Sequence, residues 1–597
     1  MIFMRRNVMA RLDPHSYADL SQGVVNHVDW KVEVDFEGKV LAGVATLSFV
    51  DAVSREVDLD SRELTIESVS THAGTSCGFE VEESEGFMGN RLRVTVPEAT
   101  SELTFVYRTA PTASALQWLA PEHTSGGALP FLFTQCQAIH ARSVLPIQDT
   151  PKARFTFHAE ISVPDSLAVV MAAAPGEAHE PSGGRKSFSF DMPQPIPSYL
   201  LAFAVGNIVS KDVGPRCTVY AEPEVVEKAA WEFADADKML QAAEGLFGKY
   251  PWERFDFLVM PPAFPYGGME NPRLTFLTPT LLAGDRSMVN VLAHELAHSW
   301  TGNLVTNATM NDFWLNEGFT VWAERRILER LEGEESVALH ANIGRNGLEG
   351  ALKAFAEKPQ WTHLKTDLEG VDPDEAYSLV PYEKGFLFVK SMELAAGREA
   401  FDAFLLDYIK EFQFTSITTD QFVAFLKKRM PGLYEKVNAD AWLYAPGIPE
   451  GAPTYQSQTL ARIKELSRLW KEDGVRPPVA ELKGWGAELW QLFLPELPNV
   501  LSEEECRWLD EQFDLTANGN SEILAAWLQI GARSNYAPAL ARLKPFLASV
   551  GRMKYVKPLY AALLAGEETA PLARQWYAEY RERYHPIAQL VLNGLFK

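Results

Sequence analysis

His294, Glu295, Leu296, Ala297 and His298 set two imidazoles four residues apart, and Glu317 follows after a gap of eighteen residues, in WLNEG. On a helix with about 3.6 residues per turn, positions four apart stack on one face, so His294 and His298 can address a single ion. Glu295 lies about 100° further round, off the ligand row but within reach of a water beside that ion. A catalytic zinc takes three protein ligands and leaves a fourth position open, so Glu317 is the expected third ligand and Glu295 the expected base. Glu324, two turns beyond Glu317, is placed to orient a ligand imidazole.

Two helices must present these groups. MVNVLAHELAHSW reads as the first, with Asp285 as N-cap and Gly302 as terminator; the second runs from Asn311 or Asp312 to Gly333. If TGNLVTNAT folds them antiparallel, Glu317 faces the histidines across a short gap. Leu296, Ala297 and Trp300 make the flanks apolar, so this polar cluster is buried and costly unless a cation joins it.

Upstream, Val28, Trp30, Val32, Val34 and Phe36 alternate with Asp29, Lys31, Glu33 and Asp35, the pattern of a half-buried strand. VLAGVATLSFV, LRVTV and LTFVYR repeat it, which predicts an antiparallel β domain over 1–207. Within it, FTQCQAIHARSVLPIQDTP mixes amides, a histidine and a cysteine among apolar residues, as a locally bonded loop or a ligand-facing one would. Residues 208–445 form the expected catalytic domain, where PPAFPYGGMENP lies between two short strands. Gly267 and Gly268 leave room for an extended peptide beside the strand, and Glu270 offers a charge for a substrate ammonium. Tyr377 and Tyr382 precede a helix; such tyrosines are usually core, but beside a polarised carbonyl a phenol can donate to an oxyanion. YAPGIPEGAPTY supplies a linker at 446–455, and 456–597 reads as stacked helical pairs carrying Arg552 and Lys554 in GRMK. The fold class is multidomain α+β.

Composition narrows the function. The net charge of -24 opposes binding to nucleic acid. Cys77, Cys136, Cys217 and Cys506 are scattered, without CxxC spacing, which fits a reducing compartment. MIFMRRNVMARLDPHS lacks a leader-length apolar run, and no stretch suits a membrane span. A cytoplasmic monomer is expected.

GGMENP, HELAHSWTGNLV, FWLNEG and VPYEKGF resemble the gluzincin zinc aminopeptidases, and FTQCQAIHARSVLPIQDTP, PTLLAGD and GRMK resemble the leukotriene A4 hydrolase branch of that family in particular. The resemblance implies a β domain, a thermolysin-like zinc domain and an α-helical domain around a cleft, acting on short peptides with a free N-terminal amine. It implies one zinc on His294, His298 and Glu317, with Glu295 as base and Tyr382 as oxyanion donor. It implies Glu270, assisted by Gln135 and flanked by Gly267, Gly268 and Met269, as the amine site. It further implies Arg552 with Lys554 at the peptide's carboxylate, and Asp374 and Tyr377 along the specificity pocket and a lipid-epoxide path. Met310 stands where vertebrate members carry tryptophan, which changes the shape of the apolar pocket. A bifunctional enzyme that also opens a lipid epoxide is the alternative, and a peptide-binding scaffold without turnover the remote one.

Overall fold

The computed structural model describes residues 13–179 and 181–596; the first twelve residues, on which the reading of the amino terminus as leaderless largely rests, lie outside the described residues. Three domains follow in chain order: a β-rich domain, a catalytic domain and an α-helical domain. No helix among the described residues is long and apolar enough to cross a membrane.

The predicted first strand is Val25–Asp35, and its alternation works as expected: Val28, Trp30, Val32 and Val34 are buried, while Asp29, Lys31, Glu33 and Asp35 face outward. It sits centrally in a seven-stranded sheet, antiparallel to Val40–Val53. Its other neighbour, Arg154–Pro164, runs parallel to it, pairing Val28 with Phe157, so the sheet departs from the purely antiparallel expectation at one interface. Only strands joined by a long connection can pair this way, and here more than a hundred residues intervene.

FTQCQAIHARSVLPIQDTP divides between the two readings. Arg142, Gln148 and Asp149 belong to a buried structural network: Arg142 Nε donates to Asp149 at 2.9 Å, and Gln148 caps the backbone of Val25 and Gly23 at 2.9 and 2.7 Å. Gln137 faces the cleft described below.

In the catalytic domain a five-stranded sheet runs in the order Val209–Gly214, Cys217–Ala221, Asp256–Val259, Leu274–Leu277, Gly268–Met269. Its middle three strands are parallel, and the two-residue edge strand Gly268–Met269 lies antiparallel to Leu274–Leu277. Phe133 of the β domain meets Phe264 edge-on at 6.0 Å, part of one apolar core that runs through both of these domains. A second core fills the helical domain, where Ser521–Arg533, Ala537–Ser549 and Met553–Leu564 pack as successive helices.

The first metal-motif helix spans Val289–Ala297, with Met288 at its N-cap and His298 already at its C-cap. Asp285 is therefore not the cap; its carboxylate instead accepts from Ser287 N at 2.9 Å in the preceding loop. The second helix is Trp314–Glu332, buried continuously from Trp314 to Leu328 and stopped at Gly333, whose φ of 94° suits glycine.

Candidate active site

A helix buried on every side must pair each of its charges. On Trp314–Glu332, Arg325 Nη2 donates to Glu383 at 2.8 Å, Arg326 Nη1 to Asp402 at 2.6 Å, and Glu324 accepts from His294 Nδ1 at 3.0 Å. Glu317 is the exception. Its Oε2 is buried without a hydrogen-bond partner, 3.5 Å from His294 Nε2 and 3.6 Å from His298 Nε2. The two Nε2 atoms stand 3.1 Å apart. Donors on a tetrahedron with bonds of about 2.1 Å are separated by about 3.4 Å, so this triangle and its orphaned carboxylate oxygen fit a zinc-sized cation.

The outer partners fix the rings. His298 Nδ1 meets Thr301 O at 3.2 Å, and a carbonyl only accepts, so the proton sits on Nδ1 and the Nε2 lone pair points to the centre. The Glu324 carboxylate does the same for His294, as the sequence suggested. Burial pushes His298 down to about 4, keeping it neutral. Burial also lowers His294, but Glu317 and Glu324 outweigh it and raise its affinity for a proton, on the side a cation would occupy.

Glu295 and Glu270 approach from the opposite side, and with His298 they bring one donor atom each within 4.8 Å of one another. Burial first, then the nearby Glu270 and Glu317, pushes Glu295 well above the usual carboxylate range, against the pull of His294. A Cβ on Gly268 would lie 2.3 Å from Glu295 Oε1, and one on Gly267 would lie 2.6 Å from Arg552 Nη2. The two glycines thus make room for these side chains of the protein itself, rather than only for an approaching ligand.

Glu270 directly follows the edge strand, and its backbone oxygen is held by Asn303 Nδ2 at 2.6 Å. The amide that reaches its carboxylate is Gln137, at 3.4 Å, and not Gln135, whose Nε2 turns to Met269 Sδ at 3.2 Å. The sequence expectation therefore picked the wrong glutamine of the FTQCQ pair. Both are amides in one irregular loop, and spacing offers no signal to separate them.

Tyr382 rides on a single π turn, Val380–Lys384, at the head of the helix Gly385–Ala396. Its ring stacks on His294 with centroids 6.0 Å apart, and its hydroxyl lies 3.2 Å from that of Tyr377. Burial, with Glu317 nearby, raises its pKa well above that of a free phenol, so it remains a donor. Lys384 ties the turn down, donating to Thr362 O at 2.8 Å and Ala445 O at 2.7 Å. Gly318, next to Glu317, crosses Gly385 so closely that a Cβ on either would lie 2.7 Å from the other's Cα.

These groups line a cleft of about 280 Å³ that also takes in Arg552 and Lys554 of the helical domain. Tyr377 lines both this cleft and a smaller apolar recess bounded by Met310, Phe313, Trp361, Leu368 and Pro381. Asp374 is already partnered, with Oδ2 2.9 Å from His140 Nε2.

Comparison with known proteins agrees with this geometry. Residues 24–200 match the peptidase M1 N-terminal domain, 231–442 the peptidase family M1 domain, and 485–595 the leukotriene A4 hydrolase C-terminal domain. The chain is 38% identical over 608 residues to leukotriene A-4 hydrolase of Xenopus laevis, covering 97% of this chain and 98% of that one. It is also 38% identical to leucine aminopeptidase 2 of Yarrowia lipolytica, covering 94% of this chain and 89% of that one. The structure of yeast leukotriene A4 hydrolase in complex with bestatin superposes with a TM-score of 0.90 at 32% identity, covering 98% and 97% of the two chains. The chain belongs to the M1 peptidase family of zinc aminopeptidases, in the branch that carries the leukotriene A4 hydrolase C-terminal domain.

Proposed function

We propose that His294, His298 and Glu317 hold the zinc and that the surrounding residues release the first residue of short peptides. When bound, zinc polarises the scissile carbonyl and lowers the pKa of water from 15.7 toward about 7. Glu295 accepts the proton of the attacking water and returns it to the leaving amine. Tyr382 donates to the oxyanion that develops on the carbonyl oxygen. Glu270, with Gln137, pairs with the substrate's ammonium, and Arg552 meets its carboxylate with Lys554 alongside.

The convergence of Glu270, Glu295 and His298 within 4.8 Å carries this reading. In a peptide, the terminal nitrogen and the first carbonyl carbon are about 2.5 Å apart, two bonds away. An ammonium on Glu270 therefore presents the first peptide bond to Glu295, and no later one. A tripeptide should yield its first residue and a dipeptide, and acetylating its amine should lower kcat/KM by about 10- to 100-fold, the value of a charge-assisted hydrogen bond. Efficient internal cleavage of the blocked peptide, followed by mass spectrometry, would make the chain an endopeptidase.

The apolar recess reached past Tyr377 favours a second activity, opening of a lipid epoxide of the leukotriene A4 type. Its aliphatic and aromatic walls suit a hydrocarbon tail. Incubation with the epoxide should give a diol; none above the non-enzymatic background removes this activity.

A further inference from the structure

The end of the cleft that faces Arg552 and Lys554 also contains a buried acid, Glu522, only 4% exposed. Its Oε1 accepts from Lys554 Nζ at 2.6 Å and from Tyr555 OH at 2.9 Å, and stands 3.6 Å from Arg552 Nη1. Arg552 Nη1 is engaged by Tyr555 OH at 2.9 Å and Thr280 Oγ1 at 3.3 Å, while its Nε is buried without a partner. The two cations are thus unequal. Lys554 has a full internal counter-charge, whereas Arg552 keeps an unsatisfied donor.

Glu522 is rigidly placed. It occupies the first turn of Ser521–Arg533, where the helix dipole favours an anion, and its backbone N–H is capped by Asn520 at 3.0 Å. Asn520 Nδ2 in turn donates to Ser287 Oγ at 3.0 Å, in the loop that enters the metal-motif helix. The acid is therefore indexed to the catalytic domain as well as to its own. Burial raises Glu522, but Lys554 and Arg552 outweigh it and hold the carboxyl below its usual range, ionised at neutral pH.

We propose that Glu522 is a specificity-determining residue: it takes Lys554 as its own counter-ion and leaves Arg552 as the one cation open to substrate, so that this end of the cleft is matched to a single carboxylate. The proposal rests on Arg552 meeting the peptide's carboxylate. It gives Lys554 a positioning role, exerted by drawing Glu522 away from Arg552 rather than by touching the peptide.

The test uses full-length, zinc-loaded enzyme as wild type, Glu522→Gln, Lys554→Met and the double variant. Each is assayed on one tripeptide with a free C-terminal carboxylate, on its C-terminal amide, and on a tripeptide ending in aspartate. For Glu522→Gln, an added unit of positive charge should raise kcat/KM for the aspartate-ended peptide about fivefold over wild type, through KM, with the amide unchanged. Lys554→Met should weaken the free-carboxylate peptide about fivefold, because Glu522 then pairs with Arg552, and the double variant should return to the wild-type ratio of carboxylate to amide. A double variant as poor as Lys554→Met would show Lys554 gripping the peptide directly and would overturn the proposal. So would equal losses on all three peptides for Glu522→Gln, which would mark a purely structural residue. A wild type that treats the carboxylate and amide peptides alike would instead defeat the underlying assignment of Arg552, and the proposal with it.

Discussion

Glu295→Gln should keep one zinc per chain while kcat falls by about 10²- to 10⁴-fold, the usual contribution of a positioned general base. Glutamine preserves the shape that fits against Gly268, where a Cβ would come within 2.3 Å of the carboxylate, so the cleft wall is undisturbed. What it loses is the ability to accept a proton. Glu270 is the nearby carboxylate that could substitute, but it is committed to the ammonium in the proposed complex, and its backbone is pinned by Asn303 at 2.6 Å. Elemental analysis of the purified variant checks the metal, and tripeptide turnover checks the rate. Undiminished turnover would strip Glu295 of its role.

For Tyr382→Phe the expected loss is about 10²- to 10³-fold in kcat with a smaller change in KM, because an oxyanion donor acts chiefly in the transition state. Phenylalanine retains the stacking on His294, at a centroid distance of 6.0 Å, so the loss reports the hydroxyl alone. The neighbouring Tyr377 hydroxyl is 3.2 Å from that of Tyr382 and approaches from a separate loop position, so it does not take over the vacated geometry. A raised KM with kcat intact would reassign Tyr382 to substrate binding.

Much of this site was legible in the residues. The four-residue histidine spacing, the acid beside it and the carboxylate on a following helix predicted the triangle of His294, His298 and Glu317, and helical spacing placed Glu324 behind His294. Regular elements make such positions calculable. Irregular ones do not: Gln137 and Gln135 differ only in how one loop turns, and Asp285 was a reasonable cap until the helix began at Met288. The parallel pairing of Val28 with Phe157 was invisible because neither strand carries a mark of its distant partner. Glu522 was missed for a similar reason: in SEILAAWLQIGAR it looks like an ordinary first-turn acid, and its meaning depends on the next helix but one.

The crossing of Gly318 and Gly385 has a mechanical consequence for the enzyme. With backbone resting on backbone, Glu317 and Tyr382 are cantilevered from a common fulcrum, so any displacement there shifts metal retention and transition-state stabilisation in concert rather than one at a time. Natural variation in substrate range is thereby steered toward positions off that hinge point, such as Met310 in the apolar recess, where side-chain volume can change without unseating the machinery.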